Sequence, residues 1–270
     1  MSNGFLSEVD GINRRVMIMY FVIDTSLSMR GSKIGAVNSA IEEMIPDLRE
    51  LSESNADAEI KLAVLKFSTG CEWVTPTPIS LEAFGDWEAL EVDGMTDLGS
   101  ACSELCAKLS QKSGFMTKET APFGFYAPVI ILLSDGGPTD SYDEELDKLK
   151  NNKWYKSALK VAIAIGKDAK KGPLEKFTEN PELVIPVNNS SMLKKLIRFA
   201  AVTSSQIASS SSSVAVGGEM DSNAPTDLSD VSSANAENQI VEAISVFREE
   251  ETQNIYSDNT VNDIEDDDFD

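Results

Sequence analysis

Asp24-Thr25-Ser26-Leu27-Ser28 sets one carboxylate and two hydroxyls at alternate positions just after an apolar run. On extended or loop backbone, alternate side chains can point the same way, so the three oxygens can converge. Oxygen donors of this kind suit a hard divalent cation such as Mg²⁺. Two further segments carry matching chemistry. Gly94-Met95-Thr96-Asp97-Leu98-Gly99-Ser100-Ala101 puts a threonine in a turn before a helix, and Ser134-Asp135-Gly136-Gly137 puts an acid after Val129–Leu133. Each has a plainer reading: Asp24 or a serine as a helix cap, Thr96 as an N-cap, Asp135 as a turn former. Taken together, Asp24, Ser26, Ser28, Thr96 and Asp135 form a candidate all-oxygen metal site, because ligand sites in open α/β sheets lie outside the carboxyl ends of strands.

Composition narrows the chemistry. The chain has no histidine, which removes imidazole acid–base catalysis, Ser–His and Cys–His nucleophile pairs and imidazole-ligated zinc. Cys71, Cys102 and Cys106 form no C-x-x-C pair and are odd in number, which argues against a disulfide framework and for a reducing compartment. Cys102 and Cys106, at i and i+4 with Leu98, Leu105 and Leu109, read as small core residues. No G-x-x-x-x-G-K-[ST] is present, and Ser26 stands where a phosphoaspartyl enzyme would want a second acid. Of the net charge of −22, the residues from Ile207 onward, with sixteen acids and one base (Arg248), carry −15. The front of the chain is thus nearly balanced and the back strongly acidic, which opposes nucleic acid and anionic membranes as partners. Met1–Asp10 lacks a basic stretch followed by an apolar core, and Val16–Ile23 is too short to span a bilayer, so a cytoplasmic protein is expected.

The positioning elements follow from periodicity. Val16–Ile23 and Val129–Leu133 are near-continuous apolar runs, as expected of strands buried on both faces. Ile34, Val37, Ile41, Met44, Ile45, Leu48 and Leu51 have helical spacing, with Pro46 expected to kink or break the helix. Ile60–Phe67 and Glu72–Thr75 around Gly70 read as a hairpin, and Pro76–Asp93 as loop plus a short helix. Helices are expected over Asp97–Lys112, Tyr142–Lys150 and from Met192, with strands at Leu159–Ile165 and Leu183–Val187. Alternating strands and helices give an α/β domain with a mostly parallel sheet. The expected organisation is an N-terminal extension over 1–13, a folded domain over 14–204, and an acidic, Ser-rich, largely disordered tail over 205–270. Ile240–Phe247 stands out there as a short docking element, placed at about 238–248.

D-x-S-x-S, then G-x-T-x-L-G-x-A, then an apolar strand ending in S-D-G resembles the metal-ion-dependent adhesion site (MIDAS) of von Willebrand factor type A (VWA) domains. The resemblance covers roughly residues 14–200, with every ligand position filled. It implies a Rossmann-like, doubly wound, mostly parallel six-stranded sheet of order 3-2-1-4-5-6 with one antiparallel edge strand. It further implies Mg²⁺ (or Mn²⁺) held by Asp24, Ser26, Ser28, Thr96 and Asp135, directly or through water, with a protein partner supplying an Asp or Glu carboxylate. Overall length and the segments Met17–Asp24 and Leu132–Thr139 are most similar to bacterial TerY-like, tellurite-resistance-associated VWA proteins, which implies an associated kinase or phosphatase. The expected function is a non-enzymatic adaptor in a stress-response or phosphorylation-linked complex. The alternatives are a metal-assisted phosphohydrolase using Asp24 with Lys66 or Lys33, and a phosphorylation substrate regulated through its tail. The tail's acids are also candidates to occupy the metal site themselves.

Overall fold

The computed structural model describes the backbone of residues 14–210 and 227–258, and the side chains of 14–208 and 234–250. The expected N-terminal extension over 1–13 therefore lies outside the described residues. Seven strands form one sheet: β1 Arg15–Asp24, β2 Ala58–Ser68, β3 Gly70–Trp73, β4 Ile79–Ser80, β5 Val129–Ser134, β6 Leu159–Ile165 and β7 Val184–Val187. The order is β3-β2-β1-β5-β6-β7, all parallel except β3, with the two-residue β4 also antiparallel on β2. Without β4 this is the expected order and single antiparallel edge strand. β4 escapes a sequence reading because two residues carry no periodicity.

β1 lies at the centre and shows how the sequence builds two cores. Met17, Met19, Phe21 and Ile23 point to one face, against helices α1 (Ser32–Ser54) and α6 (Ser190–Ser210). Val16, Ile18, Tyr20 and Val22 point to the other. There they meet α2 (Leu98–Lys108), α3 (Asp143–Lys150), α4 (Lys153–Ser157) and α5 (Lys171–Thr178). Period-two alternation with apolar residues at every position requires helices on both faces. The strand's uninterrupted hydrophobicity is therefore the reason the fold is doubly wound.

Several local expectations shift. α1 runs unbroken through Pro46. Proline there removes the bond to the carbonyl of Glu42, and both residues are solvent-exposed, so water can replace it. The segment 76–93 holds β4 and turns rather than a short helix, tied down by buried Leu81 and Leu90. Two short helices, α4 and α5, do not stand out in the sequence: α4 offers too few turns to show a pattern, and α5 carries the helix-disfavouring Gly172 and Pro173 in its first turn. α6 continues past residue 204 to Ser210, and α7 spans Asp227–Asp258, longer than the docking element expected within a largely disordered tail. α7 buries Ala236, Ile240 and Ile244, and stacks Phe247 on Phe199 of α6 with ring centroids 4.5 Å apart. Burial of this apolar stripe against the domain offsets the polar composition that otherwise disfavours order. Among the described residues, no helix is long and apolar enough to cross a membrane.

Candidate metal centre

Asp24 is the last residue of β1, and its neighbour across the sheet is the end of β5, where Ile23 pairs with Leu133. Parallel pairing thus brings two sequence-distant strand ends together. Ser134 Oγ donates to Asp24 Oδ2 at 2.6 Å and accepts from Gly136 N at 2.7 Å. Ser26 N donates to Asp24 Oδ1 at 2.9 Å, the chain curling back on its own strand end. Thr25 closes β1 by bonding Phe67 O through both its N and its Oγ1. Asp24 is fully buried, and burial raises its pKa above the usual carboxylate value. The bonds from Ser134 and Ser26 pull the other way, and Asp135 pushes it further up. Among the described residues, no cation bonds Asp24 directly.

The remaining candidate ligands lie in the loops beside it. Ser26 Oγ and Ser28 Oγ share a hydrogen bond of 2.9 Å, with Ser26 buried and Ser28 exposed. Thr96 is buried, and its backbone is gripped by Thr139. Thr96 N donates to Thr139 Oγ1 at 3.1 Å, while Thr139 N donates to Thr96 O at 2.8 Å. That leaves the Thr96 hydroxyl without a hydrogen bond among the described residues. The loops interlock through Leu27 N to Gly94 O at 3.2 Å and Asp93 N to Thr25 O at 2.8 Å. Gly94, at φ 70°, admits no side chain because a Cβ there would collide with Thr69. Asp135 lies 3.4 Å from Lys33 Nζ, and Lys33 also donates to Ser28 O at 3.1 Å.

All five sequence-predicted residues therefore lie at one end of the sheet, Asp24 closing β1 and the other four in three interlocked loops beyond it. Of the two lysines considered as support, Lys33 reaches the centre, while Lys66 pairs with Glu72 at 2.9 Å on the neighbouring strand. Sequence reasoning missed Ser134 as the partner of Asp24, and it missed Asp140. The Asp140 carboxylate accepts from Leu98 N at 3.1 Å and Gly99 N at 2.8 Å, sealing the start of α2 from another loop. Burial raises the Asp140 pKa, against the lowering by Gly99 N–H. Its signal was Pro138-Thr139-Asp140, a turn-forming run directly after the S-D-G-G segment.

No group of three or more His, Cys, Asp or Glu side chains suited to a metal occurs among the described residues. A metal here must therefore rely on hydroxyls beside the two carboxylates. The donors fit that demand. They are all oxygen, each Asp24 oxygen spends one hydrogen bond and keeps a lone pair, and the Thr96 hydroxyl is uncommitted.

The VWA (von Willebrand factor type A domain) family model matches residues 19–199. The chain belongs to the VWA domain family. Domains of this family commonly hold a divalent metal at a MIDAS and bind protein partners through it. A von Willebrand factor type A protein from Catenulispora acidiphila is 18% identical with a TM-score of 0.52, covering 70% of this chain and 42% of that one. The pilus adhesin SpaC from Lactobacillus rhamnosus GG, in its open conformation, is 14% identical with a TM-score of 0.52, covering 71% and 30%. The VWA chain thus spans less than half of either structure, and the likeness is one of fold. No curated protein matches it.

Proposed function

We propose that this VWA domain is a non-enzymatic adaptor whose MIDAS holds Mg²⁺ and recruits a protein partner through an Asp or Glu carboxylate. The observation that carries the reading is the buried Asp24 carboxylate, held by hydroxyl and amide donors with no cation bonded to it among the described residues. A bound divalent ion supplies the missing positive charge and one exchangeable position for a partner's oxygen. Ser26, Ser28 and Thr96 contribute hydroxyl ligands, and Asp24 and Asp135 bind directly or through water. With Lys33 offsetting Asp135, the loaded centre carries a net positive charge, which favours an acidic partner and couples metal affinity to partner affinity.

Within the family, the chain's length and its Met17–Asp24 and Leu132–Thr139 segments support a bacterial, cytoplasmic TerY-like member of a tellurite- or stress-response complex, with an associated kinase or phosphatase. The absence of histidine and of a committed nucleophile supports a binding role over phosphate hydrolysis. Lys33, the one candidate auxiliary residue at the centre, is engaged by Asp135 and Ser28 O.

The test is affinity capture from native lysate with and without EDTA, repeated with Asp24→Ala, alongside Mg²⁺ titration calorimetry. A partner lost in both treatments is the expected result. A partner set indifferent to chelation and to the substitution would overturn the adaptor reading.

A further inference from the structure

The chain carries a net charge of −22, yet the loop beside Asp135 is basic. The run 166–171, leading from β6 into α5, holds Lys167, Lys170 and Lys171 against one acid, Asp168. Its backbone is fastened to the metal centre. Lys170 N donates to Asp135 O at 2.8 Å, and a Cβ on Gly136 would collide with Lys170 O. The Lys170 side chain turns toward the same place. A Cβ on Gly137 would lie 3.9 Å from Lys170 Nζ and 3.7 Å from Asp135 Oδ1, and nothing else beyond its chain neighbours comes within 4 Å. A space walled by a carboxylate and an ammonium, with no side chain filling it, has room for a ligand oxygen. On its other side Asp135 meets Lys33 Nζ at 3.4 Å. Lys33 itself lies over Gly166, its Nζ 3.2 Å from where a Cβ would stand. Glycines after β5 and β6 thus let two ammonium groups approach one acid. Among the described residues Lys170 makes no ion pair, not even with Asp168. The flank toward α2 differs. Its acids, Asp97 and Asp140, are spent on the backbone of Ser100, Leu98 and Gly99.

We infer that the partner's recognition element is a pair of neighbouring acidic residues, one carboxylate on the metal and the second on Lys170 above Gly137. The inference rests on the metal reading above and names the partner's chemistry. Charge supports two carboxylates rather than one. With a divalent ion in place, Asp24 and Asp135 cancel its charge, and Lys33 and Lys170 leave two positive charges over. One carboxylate leaves an ammonium unanswered, whereas a carboxylate with a phosphate group of about −1.5 to −2 overshoots. Successive Cα atoms are about 3.8 Å apart, so adjacent residues of one peptide can serve both positions. Lys170 is exposed, so its pairing is modest in strength and weakens with salt. It therefore selects among carboxylate-bearing partners more than it adds affinity.

The experiment titrates end-blocked synthetic peptides into the full chain at saturating Mg²⁺ and low salt, by calorimetry. The peptides carry one Asp, two adjacent Asp, two Asp at opposite ends, or Asp followed by phosphoserine. The adjacent pair should bind about fivefold tighter than the single acid and tighter than the separated pair. Lys170→Gln should abolish that preference, and Lys170→Arg should keep it. Equal binding of one and two adjacent acids overturns the inference, as does equal binding of the adjacent and separated pairs or a preference that persists in Lys170→Gln. In each of those cases binding that is lost with EDTA leaves the metal reading standing. Tightest binding by the phosphoserine peptide overturns it in favour of a phosphorylated partner. Binding that survives EDTA, or no binding of any peptide, overturns the metal reading and the inference with it.

Discussion

Asp24 and Lys160 are both buried charges in central parallel strands, one at the carboxyl end of β1 and the other near the amino end of β6. Lys160 is compensated from several sides. Its ammonium meets Glu179 at 3.1 Å and the Tyr155 carbonyl at 3.4 Å, and it lies 4.9 Å from the Tyr155 ring centroid. Glu179 takes a left-handed conformation (φ 63°) at the end of α5, the only non-glycine to do so among the described residues. The fold thus accepts local backbone cost where Glu179 meets the ammonium. Glu237 of α7 adds a second carboxylate nearby. Burial raises its pKa, Lys160 lowers it, and Glu179 raises it again. Asp24 has only neutral donors among the described residues. A buried charge with its counter-charge built in is a structural device, whereas one left to hydroxyls and amides leaves room for a cation supplied from outside.

Four measurements can break or sharpen this contrast. Lys160→Met keeps the apolar stem but leaves Glu179 without its partner. It should cost about 2 kcal/mol, discounted because Glu179 is 42% exposed, as read from urea denaturation. A neutral or stabilising result would remove Lys160 from the structural side of the comparison. Lys33→Met deletes the cation beside Asp135, so Mn²⁺ should bind about tenfold tighter by calorimetry. Weaker binding would instead mean that Lys33 mainly positions the carboxylate. Asp24→Asn should raise metal-free stability by about 1 kcal/mol, because a buried charge without a counter-ion is removed, while abolishing stabilisation by Mg²⁺. Loss of metal-free stability would show that the charge is already compensated.

The smallest effect is a pH slope. The pKa of Asp24 is raised in the folded state, so the folded protein holds that proton more tightly than the unfolded chain. Its contribution to metal-free stability is therefore fully present below the unfolded value of about 4 and is lost as pH rises through the folded value. Stabilisation by Mg²⁺ should grow over the same window, since the ion needs the ionised form. Thermal melts of the wild type and Asp24→Asn, subtracted across pH, should show this slope, and a flat difference would contradict it.

Much of the site could be read locally. Asp24, Ser26 and Ser28 lie within five residues, and the apolar runs before Asp24 and before Ser134-Asp135 mark those acids as strand-end residues. The doubly wound class followed from the same runs, because a strand apolar on both faces must be covered on both. The partners across the loops could not be read this way. Ser134 meets Asp24 across 110 positions, and Lys33 meets Asp135 across 102. Asp140 seals α2 from 41 residues away, and nothing in the residues around it names that destination.

The sequence by itself determined which oxygens are available, their order and the strand ends that present them, since residue type and two-residue periodicity are local properties. Only the tertiary structure decided that Ser134, rather than a cation, holds Asp24, that Lys33 rather than Lys66 joins the centre, and that the loops carrying Leu27 and Thr96 interlock. Those outcomes depend on the parallel register of β1 with β5 and on the interlocked loops beyond it. Register is set by burying the whole sheet, which no single segment encodes.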